Sequence, residues 1–587
     1  MKMNKDFEKV AERKRQWEEG PLRKAMARFP YLKEPPTRFY TPLDNQEFNF
    51  LEKVGFPGEY PFTAGTYPTE PLAGLAKLAG MARKGAIPSA GGLTRAGLYS
   101  GYGRAEDTRD FYKQRIARGG KAGPNLAFDL PTQCGYDSDN PMAEGEVGKV
   151  GVCVDTLRDF EVIYEPYQGE LELDKIASNF TINAPANIFI GMYCALAEKR
   201  GIPIEKIRAT PQNDILKEFI ARGTYIFPPR PSMRFFRDSL VFITKNLPNV
   251  NITSIGGYHI REAGATREQD LAFSMAIAMA YLREGVEAGL EVDSFAPRFT
   301  FNAFGGSMEF FKEVAFQRAA RRMYARILKE KFGAKDPRSM LIRQPITAHI
   351  GPSSTTLQRP LNNLIRSVVG AMAGALSGGP PAAFPPYDEP LGLGWSLEAT
   401  QLMEDVGRIL TCEAKLLEFS DPFAGSYCME TLTDEIEGGA WKELEKVESM
   451  GGAVAAIENG YMQREIARSA HERQKRIEAG RDLIVGVNCF TGEQELEVAT
   501  SRLVPHPYDP AKRDRAEKEQ IDILKEVKRS RDNRAVAQLL RELKEAAKKE
   551  DENMIPKFIE CAKAYVTEQE MCDVLREIFG EYKAMTI

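Results

Sequence analysis

Histidine is scarce in this chain, occurring only at positions 259, 349, 471 and 506. His259 stands out among the four. It closes a β-branched run, NITSIGGYH (251–259), directly after Gly256, Gly257 and Tyr258. A histidine at the mouth of a strand, behind glycines that admit close neighbours, is placed to donate a hydrogen bond, pass a proton or hold a ligand. A second run of the same kind, KIRATPQN (206–213), ends its β-branched part at Gln212. Each run then moves into a helical pattern, DILKEFIARG after the first and IREAGAT after the second. The stretch 207–266 is therefore the first place to look for chemistry. A regular strand through residue 259 would put Tyr258 on the face opposite His259.

Those two runs belong to a longer rhythm. Strand-like segments NLAFDLPT (125–132), SNFTINAP (178–185), SFAPRFTFNAF (294–304) and MLIRQPITAHI (340–350) alternate with amphipathic or apolar helical stretches. Strand–helix alternation implies parallel strands joined by crossovers. Six or more such units without a Gly-x-Gly-x-x-Gly opening favour a closed (β/α)8 TIM barrel over an open doubly wound sheet. In such a barrel the site lies where the strands finish, so Asp129, Asn183, Gln212, His259 and Arg298 are expected to face one pocket. Residues 1–60, charged and then Pro-rich, read as an N-terminal extension suited to subunit contacts. The barrel is expected over 61–430. Residues 431–587 read as a helical region whose charge runs are solvated faces.

The totals exclude several classes. A net charge of −4 gives no general attraction to nucleic acid or anionic membrane. The charged N-terminus lacks the apolar core of a signal peptide, and no apolar run is long enough to span a bilayer. Eight cysteines without a Cys-x-x-Cys spacing argue for reduced thiols and against a zinc cluster or disulfide framework. A cytoplasmic location is expected.

Six segments carry a resemblance: AFDLPTQCGYDSDNPMAEGEVGKVGV, QNDILKEFIARGTYIFPPRPSMR, GGYHIREAGAT, FAPRFTF, DPFAGSYCMETLTDEI and RIEAGRDLIVGVN. In this order they resemble the adenosylcobalamin-dependent acyl-CoA mutases, the methylmalonyl-CoA mutase family, from about residue 58 onward. The resemblance implies a barrel threaded along its axis by the coenzyme A tail. A separate flavodoxin-like domain would bring cobalamin onto the barrel mouth. That domain's Asp-x-His-x-x-Gly signature, whose histidine ligates cobalt, matches none of the four histidines. The chain is thus expected to be a large subunit that works in a hetero-oligomer with a small cobalamin-binding subunit, and to hold no metal itself. The alternative is a non-catalytic paralogue acting as a scaffold or interaction protein.

The implied reaction is a radical carbon-skeleton rearrangement. An adenosyl radical takes a substrate hydrogen, the thioester group moves to the adjacent carbon, and the hydrogen returns. The resemblance gives His259 the role of donor to the migrating thioester carbonyl, with Gln212 as a second polar contact and Tyr99 (in GLYSGYG) as the wedge between substrate and adenosyl group. Arg222 falls where family members that act on methylmalonyl-CoA hold the free carboxylate, whereas those that act on isobutyryl- or 2-hydroxyisobutyryl-CoA have glutamine there. A buried carboxylate needs a fixed cation, and a guanidinium meets it bidentately. Tyr99 and Ala127 also differ from the isoleucine and aspartate of the hydroxyisobutyryl enzymes, so all three positions point to a carboxylated acyl-CoA. Thr210, Asn125, Arg298 and Thr300 match substrate-binding positions, the last three along the coenzyme A tail. Glu262 and Glu389 match acids near the cobalamin face or its adenosyl ribose, and His349 lies near a glutamine that the family has and this chain lacks.

Three segments depart from the family pattern. Residues 70–98 replace the usual coenzyme A grip, with Gly97 where an arginine is expected and Arg83 or Arg95 as substitutes. ITAHIGPSS replaces a His-x-Gln-Thr-Ser-Gly stretch, and GPPAAFPP (379–386) replaces polar residues under the cofactor. Exchanging hydrogen-bonding groups for Ala, Phe and Pro enlarges a pocket and makes it apolar. The acyl part is therefore expected to be methylmalonyl or bulkier, such as an alkyl- or arylmalonyl group.

Overall fold

The structure is a computed structural model. It describes residues 5–28, 38–69, 99–117, 120, 122–302, 304–343, 350–379, 385–391, 397–492 and 510–584. Six short strands lie in chain order: β1 (Tyr99–Ser100), β2 (Asn125–Ala127), β3 (Ser178–Thr181), β4 (Ala209–Pro211), β5 (Thr253–Ile255) and β6 (Phe299–Phe301). Every pair is parallel, with β1 to β4 in one sheet and β5 with β6 in another. Backbone bonds join the two sheets, from Asn251 N to Ala209 O (2.9 Å) and from Ser254 N to Gln212 O (2.8 Å). Phe301 N donates to Arg343 O at 2.9 Å and carries the ladder one step past β6. The result is an α/β arc of parallel strands in a mostly helical chain. The described strands do not show a closed barrel. The segment expected to continue the arc, 344–349, lies outside the described residues.

The strands are shorter than the runs that predicted them, because their polar ends leave the ladder. Asp129 caps the turn Leu130–Gln133, accepting from Thr132 N at 3.0 Å. Asp214 accepts from Gly256 N at 2.8 Å and ends β5 there. Tyr258 and His259 therefore sit on the helix Gly257–Glu262 and not on a strand. Their rings lie 3.8 Å apart, which overturns the expected opposite-face arrangement. Gly257 is needed at this bend, since a Cβ there would fall 2.6 Å from both Asp270 Oδ1 and Ser274 Oγ.

Burial alternates along the arc. In β3, Ser178 and Phe180 are buried while Asn179 and Thr181 stay partly accessible. Asn125 and Thr210 are partly accessible too, and both stand in register with Asn179. The accessible face is thus built from amides and hydroxyls, where a filled barrel would present branched apolar side chains.

The helices Ala186–Lys199 and Arg267–Glu287 are buried on every side over 186–197 and 269–282, and their apolar residues there run nearly all round, which a surface helix's do not. Later helices cover their outer sides. Ile555–Lys563 lies on the first so closely that a Cβ on Gly191 would fall 2.8 Å from Phe558 Cβ. Tyr427–Ser449 lies on the second, with Gly439 against Glu268. Three arginines of Phe310–Arg326 clasp the same region. Arg318 is fully buried and bonds Asp421 and Glu430. Arg322 bonds Glu437 (2.6 Å) and Asp434 (2.7 Å), and Arg321 bonds the carbonyls of Phe62, Thr63 and Ser377. The DPFAGSYCMETLTDEI segment supplies this clasp and is structural. No helix among the described residues is long and apolar enough to cross a membrane.

The C-terminal helices meet the 129–159 segment through buried acids. Asp155 accepts from Ser138 N (2.7 Å), Ser138 Oγ (2.8 Å) and Gln520 Nε2 (2.7 Å). Glu568 donates its N–H to Asp155 O, and neither of its carboxyl oxygens has a partner among the described residues. Burial first, then the charges of Asp137, Asp155 and Asp129, push Glu568 well above the usual carboxylate range, against a small pull from Arg576. Burial and the neighbouring Asp137 and Asp159 do the same to Asp155. Burial lifts Asp137 to about 6, against the pull of Lys528 at 3.0 Å. These acids hold protons more tightly folded than unfolded. Their contribution is full below their unfolded values near pH 4 and is lost as pH rises through the folded ones, at about 1.4 kcal/mol for each tenfold difference in proton affinity. Raising pH from 6 to 9 should therefore lower hydrogen-exchange protection, relative to the intrinsic rate at each pH, in Pro510–Ser530 and Glu568–Phe579 before the strands are affected, and Glu568→Gln should flatten that dependence. Protection that does not change over this range would refute the idea.

Candidate functional site

The carboxyl ends of β3, β4 and β5 bring one polar cluster together. Gln212 follows β4 and is buried. One turn of helix, Ile215–Lys217, comes next and widens into a π turn, Glu218–Arg222. That turn closes with Gly223 N donating to Glu218 O at 2.9 Å, and Gly223 takes φ 91°, a conformation that favours glycine. The widened turn lays Lys217, Glu218 and Arg222 across the end of the sheet.

Glu218 is the hub. Its Oε1 accepts from Asn183 Nδ2 (2.6 Å) and Lys217 Nζ (3.0 Å), and its Oε2 accepts from Thr224 N (3.1 Å) and Thr224 Oγ1 (2.6 Å). Gln212 Oε1 also accepts from Asn183 Nδ2 (3.0 Å) and Lys217 Nζ (2.9 Å). Arg222 donates to Gln133 Oε1 at 2.7 Å and lies 3.6 Å from Glu218 Oε1. Gln133 is itself fixed, because its Nε2 donates to Phe128 O at 2.6 Å. The Arg222 side chain keeps 23% of its surface exposed, whereas Glu218 is fully buried.

Burial sets the electrostatics. It raises Glu218, but Lys217 and Arg222 outweigh it and hold the carboxyl below its ordinary range. Burial lowers Lys217, with Glu218 opposing. Burial lifts Asp214 to about 6, with Lys217 opposing. His259 is pushed well below its ordinary value, first by burial and then by the Lys217 and Arg222 cations. It is therefore neutral near pH 7. Its Nδ1 is buried without a hydrogen-bond partner among the described residues, 3.3 Å from where a Cβ on Gly256 would sit. A neutral imidazole with a spare ring nitrogen can bond a ligand oxygen.

The other predicted residues are dispersed. Asp129 is a buried cap, with Oδ2 accepting from Gly148 N, and does not face the cluster. Arg298 stands before β6, at the opposite end of that strand from the site. It donates to Ile243 O (3.1 Å), Leu247 O (3.4 Å) and Ser294 O (3.1 Å). It satisfies carbonyls at the end of the helix Pro229–Asn246, which corrects its expected convergence with the strand-end residues. Thr300 donates to Thr253 O at 2.8 Å, and Thr210 Oγ1 accepts from Asn251 Nδ2 at 2.8 Å. Asn125 begins β2 and pairs in register with Tyr99 of β1. Glu262 accepts from Ser353 N (2.7 Å) and Oγ (3.2 Å), and burial raises its carboxyl. Gly351 packs on that carboxylate so tightly that a Cβ there would overlap it. Glu389 opens the turn Glu389–Leu391. His349 lies outside the described residues, as do all of 70–98 and the 380–384 part of the third divergent segment. Lys217 and Gln133 were missed. Their signal was position: both lie within the segments QNDILKEF and AFDLPTQ, beside residues already chosen.

The parallel arc and its charged, hydrogen-bonded mouth belong with a known family. The sequence model for methylmalonyl-CoA mutase matches residues 95–581. The chain belongs to the methylmalonyl-CoA mutase family and is an isomerase of the mutase type. The 2-hydroxyisobutanoyl-CoA mutase large subunit of Aquincola tertiaricarbonis is 37% identical over 97% of this chain and 96% of its own length. Methylmalonyl-CoA mutase of Homo sapiens is 36% identical over 90% of this chain, and that of Rhizobium meliloti 36% over 83%. The match spans 66% of the length of each of these two mutases.

Proposed function

We propose that this chain is the large, substrate-binding subunit of an adenosylcobalamin-dependent mutase. It moves the thioester group of a carboxylated acyl-CoA to the adjacent carbon, turning a malonyl-type ester into a succinyl-type one. Arg222 carries this reading. The neutral Gln133 amide holds it at 2.7 Å, and Glu218, 3.6 Å away, has a closer cation in Lys217 at 3.0 Å, so the guanidinium's charge can serve an anionic substrate group. The chain is about equally similar to a relative named for a 2-hydroxy acid and to relatives named for methylmalonyl-CoA, so overall identity does not choose between them. The charge at residue 222 supports the carboxylated ester.

The remaining geometry supports the reaction type. Among the described residues the cluster has no nucleophile paired with a base: Lys217 is tied to Gln212 and Glu218, and His259 is neutral. Such a site holds and orients a substrate and leaves the bond-breaking chemistry to a cofactor. The family is cobalamin-dependent, and adenosylcobalamin held at this mouth would supply radical chemistry. Glu262, braced by Ser353, would line its face, with Glu389 and His349. His259 would donate to the migrating thioester carbonyl, where charge and spin build up. Gln212 would hold the acyl part and Tyr99 would separate it from the adenosyl group. The arc closes, on this reading, into an eight-stranded barrel, and coenzyme A runs along the polar inner face past Thr210, Thr300 and Asn125. Arg298 would meet the tail from the far end. The cobalt ligand would come from a small subunit, as the name of the Aquincola relative suggests. Residues 1–60, which expose Phe39, Leu51 and Phe56, would serve subunit contacts in a cytoplasmic hetero-oligomer. The 61–430 unit would form the barrel and 431–587 its helical cover. A non-catalytic scaffold would have no use for a neutral histidine and a guanidinium at a shared mouth.

The test is an assay with the small subunit and adenosylcobalamin. Methylmalonyl-CoA or larger alkyl- and arylmalonyl-CoA esters should turn over, and 2-hydroxyisobutyryl-CoA should not. The reverse preference would overturn the reading. His259→Ala should cut kcat by about 100-fold with little change in KM, the scale of losing one preorganised donor.

A further inference from the structure

We propose that Lys217 is a positioning and selectivity residue: it compensates Glu218 and Asp214, so that Arg222 stays available to a substrate carboxylate, and it fixes the Gln212 amide with its NH2 group toward the acyl part. This rests on the reading of Arg222 given above.

The amide orientation follows from a backbone group. Asp214 N donates to Asn183 Oδ1 at 3.0 Å, and a main-chain N–H can only donate. Asn183 must therefore present Nδ2 on its other side, toward Gln212 and Glu218. The atom of Gln212 that receives both Asn183 Nδ2 and Lys217 Nζ must then be its oxygen. Turning the amide over would set its NH2 against two donors. Gln212 Nε2 is left without a partner among the described residues, on the side away from Asn183 and Lys217.

The charge argument is equally local. The groups that face one another are Asp214, Lys217, Glu218, Arg222 and His259, with the Tyr281 phenol donating to Asp214 Oδ1 at 2.9 Å. Lys217 is fully buried, and its ammonium lies 3.0 Å from Glu218 Oε1. Arg222 stands 3.6 Å from the same oxygen, i to i+4 on the π turn. Two cations thus share one carboxylate oxygen, and the lysine has the closer bond. Without Lys217, Glu218 would be a buried anion whose nearest cation is Arg222, and a guanidinium drawn onto it is lost to the substrate.

The experiment compares binding of succinyl-CoA, which carries the extra carboxylate, with butyryl-CoA, which does not, to the full-length chain. The readout is the ratio of their dissociation constants, with the KM and kcat of the assembled enzyme measured separately. Lys217→Met should reduce the preference for succinyl-CoA at least tenfold. Glu218→Gln alone should raise it, and Lys217→Met combined with Glu218→Gln should bring it back to within about threefold of the parent. In turnover, the Lys217→Met loss for a carboxylated ester should fall mainly on KM. Should Lys217→Met fail to fold, Glu218→Gln and the double variant still decide the matter. A lowered ratio in Glu218→Gln, or no recovery in the double variant, would overturn the role of Lys217. Loss of preference in Arg222→Gln with full preference kept in Lys217→Met would overturn it as well, and would leave the Arg222 reading standing. Preference retained in Arg222→Gln would instead remove the anchor itself.

Discussion

Arg222→Gln is expected to lower kcat/KM for a carboxylated acyl-CoA by about 100-fold, or ~3 kcal/mol. The same change should leave an acyl-CoA without that carboxylate within about threefold. The asymmetry matters more than the size. The turn that carries residue 222 is closed by the backbone, from Gly223 N to Glu218 O, so the substitution removes the charge without removing that closure. Steady-state kinetics on a malonyl-type and an unbranched acyl-CoA, side by side, measure it. Equal losses on both substrates would mean that the arginine supports the turn and does not bind a carboxylate.

The second large effect is on stability and lies far from the chemistry. Arg318→Met should destabilise the chain by about 3–5 kcal/mol, because it strands Asp421 and Glu430 in the interior at 7% and 1% exposure. Removing the acids together with the arginine, as Arg318→Met with Asp421→Asn and Glu430→Gln, should recover most of the loss. Urea denaturation of the two variants and the parent tests this. A single-variant cost below about 1 kcal/mol would show that the clasp does not hold the helix Tyr427–Ser449 against the helix Phe310–Arg326.

Much of the architecture was legible from alternation of pattern. The runs at 125, 178, 206, 251 and 294 each contain a parallel strand, and the spacing between them required crossovers. Strand length was not legible, because the runs were read on to their polar ends, past the point where Asp129, Asp214 and Gly256 take the backbone out of the ladder. The apolar girth of Ala186–Lys199 and Arg267–Glu287 signalled a second covering layer, but not which helices supply it. Within the site, Gln212 and Arg222 drew attention by type and place, and the structure sets both in one network with Lys217, Glu218 and Gln133. Lys217 escaped notice because a lysine in a helical pattern reads as a solvated face, and only burial shows otherwise. Arg298 went the other way: its sequence position placed it at a strand, but the nearby helix end claims its donors.

The π turn at Glu218–Arg222 gives this site an unusual relation to insertions and deletions. A π turn houses one more residue than the α turn it replaces. Deleting a single residue there could heal into ordinary helix, with β4 behind it and the helix Pro229–Asn246 ahead of it left in register. The residue that follows the deletion would step round the axis by about 100°. The guanidinium would then leave the mouth with no change to the strands that frame it. A family could in this way gain or lose an acid-bearing substrate through chain length at one turn, as readily as through the identity of residue 222.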